Sequence, residues 1–202
     1  MEKYMQNHLD KHMLDRTIVS DRATQEDWLK PYYFARAGAN ILWMIAVLSI
    51  GQHSLAAAAV LLVCYPAWDA LANIVDGMRS GGLGKNITQC INVVVSVAVA
   101  VGIAIALPDM HRVLGVFGAW AILSGLMQLG TAVRRWKRNG AQWAMALSGV
   151  QSALAGGFFI YQSQLPAVPT IASLVGYAGF GAFYFLVSAI WLTVRAARRR
   201  SA

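Results

Sequence analysis

Polar side chains with the chemistry of an intramembrane site recur at helical spacing in apolar surroundings. Asp69, Asn73 and Asp76 are spaced i, i+4 and i+7, which places them on one face of a helix. Arg36 and Asn40 share a face of the preceding apolar stretch in the same way. Ionisable groups are costly in a bilayer and mark ion or proton pathways or buried pairs. These residues therefore predict a polar site inside a membrane.

A third apolar stretch brings further amides to this candidate patch. Asn86, Gln89 and Asn92 recur there at helical spacing, and the predicted membrane topology gives them a similar depth. The candidate residues of this patch are Arg36, Asn40, Asp69, Asn73, Asp76, Gln89 and Asn92. Two interpretations stay open for them.

In the first interpretation, Asp69 titrates as part of a proton- or ion-responsive site, with Arg36 or the amides as partners. In the second, the patch is structural. Arg36 then pairs with Asp76 near the headgroups, and the amides form hydrogen bonds between helices.

Histidines and enzyme motifs add little chemistry. His53 and His111 lie in predicted outer turns, where they either sense external pH or are ordinary solvated side chains. His8 and His12 are spaced i, i+4 near the N-terminus, but two ligands are too few to predict a metal site. The Gly81–Gly84 stretch lacks the Lys-Ser/Thr ending of a phosphate-binding loop. We therefore expect no enzyme activity, no cofactor and no metal.

The predicted chain segments that carry these polar residues are long and apolar. With 57% hydrophobic and 13% charged residues in a chain of 202, an ordinary soluble domain is excluded. Backbone polar groups in lipid must bond internally, so each apolar run is predicted to be helical. The composition predicts an all-α membrane protein with six transmembrane helices, at approximately 32–51, 54–76, 86–107, 113–133, 142–163 and 170–194.

Lys and Arg are concentrated in alternate connections, which predicts the orientation. Cationic loops resist translocation, so both termini are expected in the cytoplasm and the helices form three sequential antiparallel hairpins. The net charge of +8 is then explained by contacts with anionic headgroups at the inner basic loops, not by nucleic acid. The basic residues of these inner segments are Lys3, Lys11, Arg16, Arg22, Lys30, Arg79, Lys85, Arg134, Arg135, Lys137, Arg138, Arg195, Arg198, Arg199 and Arg200.

The predicted domain organisation is a short tail and one membrane domain. Residues 1–30 are expected to form a cytoplasmic polar or amphipathic tail, and residues 31–202 a single six-helix domain. Whether the tail is an interfacial helix or a polar segment that touches the headgroups stays open. Thr24–Asp27 provides a capping box for a helix start before Trp28.

Small residues at four-residue spacing predict close helix packing in the fifth span. The first series is Ser148, Ser152 and Gly156, and the second is Gly149, Ala153 and Gly157. Such ridges let neighbouring backbones approach. They predict packing within one bundle, with a homo-oligomer interface as the alternative.

The stretch from Phe117 to Arg200 resembles the HdeD-like family of small bacterial inner-membrane proteins with short repeats. The resembling pieces are Trp120–Leu126, the basic loop Arg134–Gly140, Trp143–Val150 and Ala155–Gly157, with Gly at about seven-residue intervals. The resemblance implies six helices, a place in the bacterial plasma membrane and an association with acid-stress resistance. It supplies no catalytic residues.

Two functions follow as expectations. The first is a non-enzymatic multi-pass protein of the HdeD type that contributes to acid-stress tolerance. The second is a small proton- or ion-coupled transporter or channel that uses the polar patch around Asp69.

Overall fold

The computed structural model describes residues 27–137 and 142–200, which form helices and turns with no β-strand. All six helices are long and apolar enough to cross a membrane, which confirms the prediction of an all-helical protein with six such segments. They are α1 (Asp27–Gly51), α2 (Leu55–Arg79), α3 (Ile87–Ala106), α4 (Met110–Arg135), α5 (Gln142–Gln162) and α6 (Val175–Arg200). The last turn of α1, Val47–Gly51, has π geometry, and one 3-10 turn precedes α3 (Leu83–Lys85) and another α6 (Ile171–Leu174).

The first and last helices extend beyond the predicted apolar runs. Helix α1 already includes Asp27, because its first turn is packed: Leu29 is fully buried, and the Trp28 ring lies 5.0 Å from the Arg79 guanidinium carbon. Helix α6 continues to Arg200, since Ala and Arg are good helix formers that need no burial. Thr24 to Glu26 of the expected capping box lie outside the described residues.

Short polar residues define two of the helix starts. The Ser54 hydroxyl accepts a hydrogen bond from the Ala57 N–H at 3.3 Å at the start of α2. At the start of α4, the Asp109 carboxylate accepts hydrogen bonds from the N–H groups of His111 and Arg112 at 3.0 and 3.2 Å. Such caps satisfy N–H groups that have no partner within the helix.

The helices pack so that neighbours in sequence touch and α6 returns to α1. The Trp43 indole of α1 donates a hydrogen bond to the Leu61 carbonyl of α2 at 2.8 Å. Helix α2 packs on α3, α3 on α4, and α4 most extensively on α5. The ring of Tyr33 on α1 lies 6.0 Å from that of Phe185 on α6, which closes the bundle.

The outer surface of the bundle is apolar, as contact with lipid requires. Leu55, Ile105 and Leu154 are 89%, 79% and 71% exposed. A soluble protein rarely leaves such contiguous apolar surface exposed. Charged side chains, by contrast, occur in the interior, and they form the candidate site.

Candidate functional site

Asp69 is a buried acid that accepts hydrogen bonds from four different side chains. Its Oδ1 accepts from the Arg36 guanidinium at 2.6 Å, across from α1. Its Oδ2 accepts from Asn73 Nδ2 at 3.1 Å, Asn92 Nδ2 at 2.9 Å and Ser96 Oγ at 2.9 Å. Three helices, α1 to α3, therefore meet at one buried carboxylate that accepts four hydrogen bonds from side chains.

The Arg36 side chain is held by aromatic rings as well as by Asp69. Its guanidinium carbon lies 4.6 Å from the centre of the Phe185 ring on α6. Its Nη1 also donates to the Tyr32 hydroxyl at 3.3 Å. A cation over an aromatic face gains electrostatic energy in a desolvated site, so α6 is tied to the same ion pair.

Asp76 forms a second buried ion pair with Arg135 of α4. Its Oδ2 lies 3.0 Å from the Arg135 Nη2 and accepts from the Gln89 amide at 3.1 Å. Ser80 Oγ accepts from the same guanidinium at 3.0 Å. The structural interpretation that Arg36 pairs with Asp76 is therefore wrong. Asp69 lies seven residues, or about two turns, before Asp76 on α2, so the two acids lie at different depths. Each acid forms an ion pair with the arginine at its own depth.

The loop after α2 is fastened to the second ion pair. Asn86 Nδ2 donates to the carbonyls of Ser80 and Gly82, both at 2.9 Å. Arg134 donates to Gln89 Oε1 at 2.8 Å and to Asn86 Oδ1 at 3.3 Å. We call the two ion pairs and their partners the charged layer: Arg36, Asp69, Asn73, Asn92, Ser96, Asp76, Arg135, Ser80, Gln89, Asn86 and Arg134.

Six of the seven predicted patch residues lie in the charged layer, and Asn40 does not. Asn40 is buried beside Gly181 of α6, where it lines a cavity instead. Sequence reasoning missed Ser96 and Arg135. Ser96 follows Asn92 by four residues, so its face on α3 was readable. Arg135 belonged to a basic run that was interpreted only as an orientation signal.

The Ser96 hydroxyl links the charged layer to the aromatic core. It accepts from the Trp120 indole at 2.9 Å while donating to Asp69. The Trp120 ring lies 4.9 Å from Phe117 and 5.8 Å from Tyr65 in edge-on arrangements. Helix α4 is thus attached to Asp69 through one hydroxyl.

Two cavities adjoin the charged layer, and both are lined by Arg36 and Asp69. The central cavity has a volume of about 460 Å³ and lies among α1, α2, α4, α5 and α6. The inner cavity is about 60 Å³ and extends from the Arg36–Asp69 pair to Asp76 and Arg135. Polar walls and this volume suit a few ordered waters.

The small residues of α5 pack mainly against α4. A Cβ at Gly149 would stand 2.7 Å from the Gly125 carbonyl oxygen, and one at Gly118 would stand 2.7 Å from the Gly156 carbonyl oxygen. Midway, Ser152 Oγ donates to the Ala121 carbonyl at 2.9 Å. The glycines recur every seven residues on both helices, which keeps one contact stripe.

Of the other small residues of the fifth span, Ala153 and Ser148 lie in the interior of the bundle and Gly157 lies on its outer surface. Ala153 lies in the α4–α5 contact, with its N–H 2.8 Å from the Cβ position of Gly125, and Ser148 lines the central cavity. Gly157 is exposed with nothing within 4 Å of a Cβ, so it takes no part in packing within the bundle. A homo-oligomer interface stays a prediction for such exposed positions.

The histidines lie away from the charged layer. His53 is exposed in the turn after α1. His111 is half-buried near the start of α4, with Nδ1 3.1 Å from the Ser163 carbonyl oxygen. Within residues 27–137 and 142–200, no three His, Cys, Asp or Glu side chains are grouped for a metal ion. His8 and His12 lie outside the described residues.

The apolar surface and the buried ion pairs together define a multi-pass membrane protein. Residues 102–161 match the model of a family described as a short repeat of unknown function (DUF308), the family to which HdeD belongs. The resemblance to that family is thereby confirmed for a segment that covers the end of α3, α4 and nearly all of α5. No curated protein and no solved structure matches the chain.

Proposed function

We propose that this is a non-enzymatic multi-pass protein of the bacterial plasma membrane that contributes to acid-stress tolerance through a rigid, charge-locked bundle. The carrying observation is that both buried acids are compensated, Asp69 by Arg36 and Asp76 by Arg135. The family match over residues 102–161 supports the link to HdeD-type proteins. No enzyme activity, metal or cofactor is part of the proposal.

The bonding of Asp69 favours a scaffold over a proton relay. A relay acid must exchange its proton and its partners during a cycle. Exchanging the partners of Asp69 would leave the buried Arg36 without a counter-charge and would break the hydrogen bonds that Asn92 and Ser96 donate to Asp69. The same contacts tie α1, α2 and α3 together. These contacts support a rigid bundle.

We also propose that both termini are cytoplasmic and that the helices form three sequential hairpins. The alternation of basic connections supports this orientation, with anionic headgroups beside Lys137 and the C-terminal arginines. The test is single-cysteine labelling in a Cys64→Ala, Cys90→Ala background. A membrane-impermeant reagent added to intact cells should label Gln52→Cys and not Lys137→Cys. Labelling of both positions, or of Lys137→Cys alone, contradicts the orientation.

A small proton- or ion-coupled transporter is the second candidate function. The observation that favours it is the shared wall of the two cavities, because Arg36 and Asp69 line both the central and the inner cavity. Polar lining residues of two adjoining cavities therefore extend from the middle of the bundle to Arg135. In this candidate, Asp69 would be the coupling group.

Proteoliposome flux under an imposed pH gradient separates the two functions. For the scaffold, we expect no proton or ion flux above empty liposomes, for wild type and Asp69→Asn alike. Asp109→Asn is the matched control, since Asp109 is exposed and Asn still caps α4. Flux that Asp69→Asn abolishes and Asp109→Asn preserves would establish the transporter.

Survival at low pH tests the link to acid stress. A strain that lacks the protein should survive acid challenge less well, and wild type and Asp109→Asn should restore survival. Asp69→Asn should restore it only partly, because the bundle is loosened. Equal survival with and without the protein would contradict acid tolerance, whatever the flux assay shows.

A further inference from the structure

We propose that the central cavity binds an uncharged amphipathic lipid that enters from the bilayer between α5 and α6. This site goes beyond the scaffold and does not depend on it. Its volume of about 460 Å³ is typical of cavities that enclose small ligands.

The cavity opens on the lipid-facing side of the bundle. Leu154 and Phe158 of α5 and Phe180 of α6 line it, yet they are 71%, 59% and 56% exposed. Side chains that line the cavity and are also exposed on the outer surface of the bundle indicate where the cavity opens. We call this opening the mouth. Helix α5 has far less contact with α6 than it has with α4, so the opening lies between α5 and α6. A ligand can therefore arrive from the hydrocarbon region without crossing water.

Polar side chains line the cavity wall, and two buried donors of lining residues have no hydrogen-bond partner. Asn40, Ser124 and Ser148 are only 5%, 9% and 9% exposed, and each lines the cavity. In the part of the chain that the structure describes, the buried Trp68 Nε1 and Arg36 Nε atoms of two further lining residues have no hydrogen-bond partner. Buried polar groups without partners are costly, so a bound molecule with oxygen atoms would stabilise this wall.

The charges of the wall select an uncharged head group. Arg36 and Asp69 are the charged residues among the described lining residues, and they neutralise each other at 2.6 Å. A charged head would lose its hydration in this cavity without gaining a counter-ion. Neutral carbonyl or hydroxyl oxygens lose less hydration free energy on entering the cavity. They can also form hydrogen bonds with the hydroxyl groups of Ser124 and Ser148 and with the Asn40 amide.

The remaining walls are aromatic, which suits a ring or a chain. The cavity is also lined by aromatic side chains that are buried or half-buried: Tyr65, Trp120, Phe159 and Tyr177. The ligand class is therefore a lipid with a small uncharged head that bears carbonyl or hydroxyl oxygens and with an apolar tail. A short-chain quinone and a monoacylglycerol share this chemistry.

Binding to purified wild-type protein tests the site with three probes of equal chain length. Decylbenzoquinone and monodecanoylglycerol are the uncharged probes, and decanoate is the charged one. We expect saturable binding of at least one uncharged probe by calorimetry, and at least tenfold weaker binding of decanoate. The uncharged probe that binds more tightly identifies the source of the ligand.

A matched pair of glycine variants locates the binding. Gly176 lines the mouth and Gly157 lies outside the cavity; both are exposed, with nothing within 4 Å of a Cβ. Gly176→Trp should weaken binding of the uncharged probe about tenfold or more, and Gly157→Trp should leave it within about twofold. The double variant Ser124→Ala, Ser148→Ala should also lose about tenfold, as expected for two hydrogen bonds.

Each contrary result overturns the proposal. Absence of saturable binding for both uncharged probes would mean that the cavity holds water only. Equal binding by the Gly176→Trp and Gly157→Trp variants would place the probe elsewhere on the apolar surface. Decanoate that binds as tightly as the uncharged probes would refute the selection against charge.

Discussion

Two regions hold this bundle together by opposite means. The α4–α5 contact is made by glycines, which have no side chain. Gly118 and Gly125 face Gly156 and Gly149 so closely that a Cβ at any of them would collide with the opposite backbone. In the charged layer, side chains do the joining, and Asp69 connects α1, α2 and α3. The first region depends mainly on shape, with Ser152 adding one hydrogen bond across it, whereas the second depends on compensated charge.

The two regions also differ in their relation to the matched family. All four glycines of the α4–α5 contact lie within residues 102–161, whereas Arg36, Asp69 and Asp76 lie outside that segment. The matched segment therefore contains the close α4–α5 contact and not the two buried acids. Arg135 is the charged-layer residue through which the matched segment joins the buried acids.

The largest effect is expected from breaking one ion pair. Asp69→Leu leaves Arg36 buried and uncompensated, which should lower the free energy of unfolding by about 3–5 kcal/mol. Thermal unfolding in detergent or in bilayer discs measures it. The double variant Arg36→Met, Asp69→Leu should recover most of the loss, because no unpaired charge remains. A double variant as unstable as the single one would show that the charges do not interact as described.

A smaller effect is expected from filling the α4–α5 contact. In Gly125→Ala, the new Cβ would stand 2.5 Å from the Gly149 carbonyl oxygen and 2.8 Å from the Ala153 nitrogen. Backbone cannot rotate away, so the helices must separate, at a cost of about 1–3 kcal/mol. The control is Gly157→Ala, which meets no atom within 4 Å and should be neutral or slightly stabilising. Equal melting temperatures for the two variants would contradict the shape argument.

The smallest effect is expected where the two regions are linked. Trp120→Phe keeps an aromatic ring but removes the hydrogen bond to Ser96. Hydrogen bonds between membrane helices average about 0.6 kcal/mol, so a loss of that order should be measured by the same unfolding assay. A loss comparable with that of Asp69→Leu would mean that Trp120 has a larger part in the charged layer than one bond.

Much of the fold was predictable because lipid imposes simple rules on sequence. The six apolar segments follow from length and hydropathy. Their predicted ends differ most at α1, which already begins at Asp27, and at α6, which begins later and continues to Arg200. The polar patch was predictable as a face, since helical periodicity places Asp69, Asn73 and Asp76 together. Which arginine meets which acid was not predictable from one helix.

The six apolar helices of the described residues, and the helix faces that carry polar groups, follow from the sequence. Those properties depend on local periodicity and on the cost of exposing a polar backbone to lipid. The packing of the helices determines that Arg36 reaches Asp69, that Arg135 reaches Asp76, and that a cavity lies beside them. Pairing across helices depends on their relative depth and rotation, which arise from packing of the whole bundle and leave no local trace in the chain.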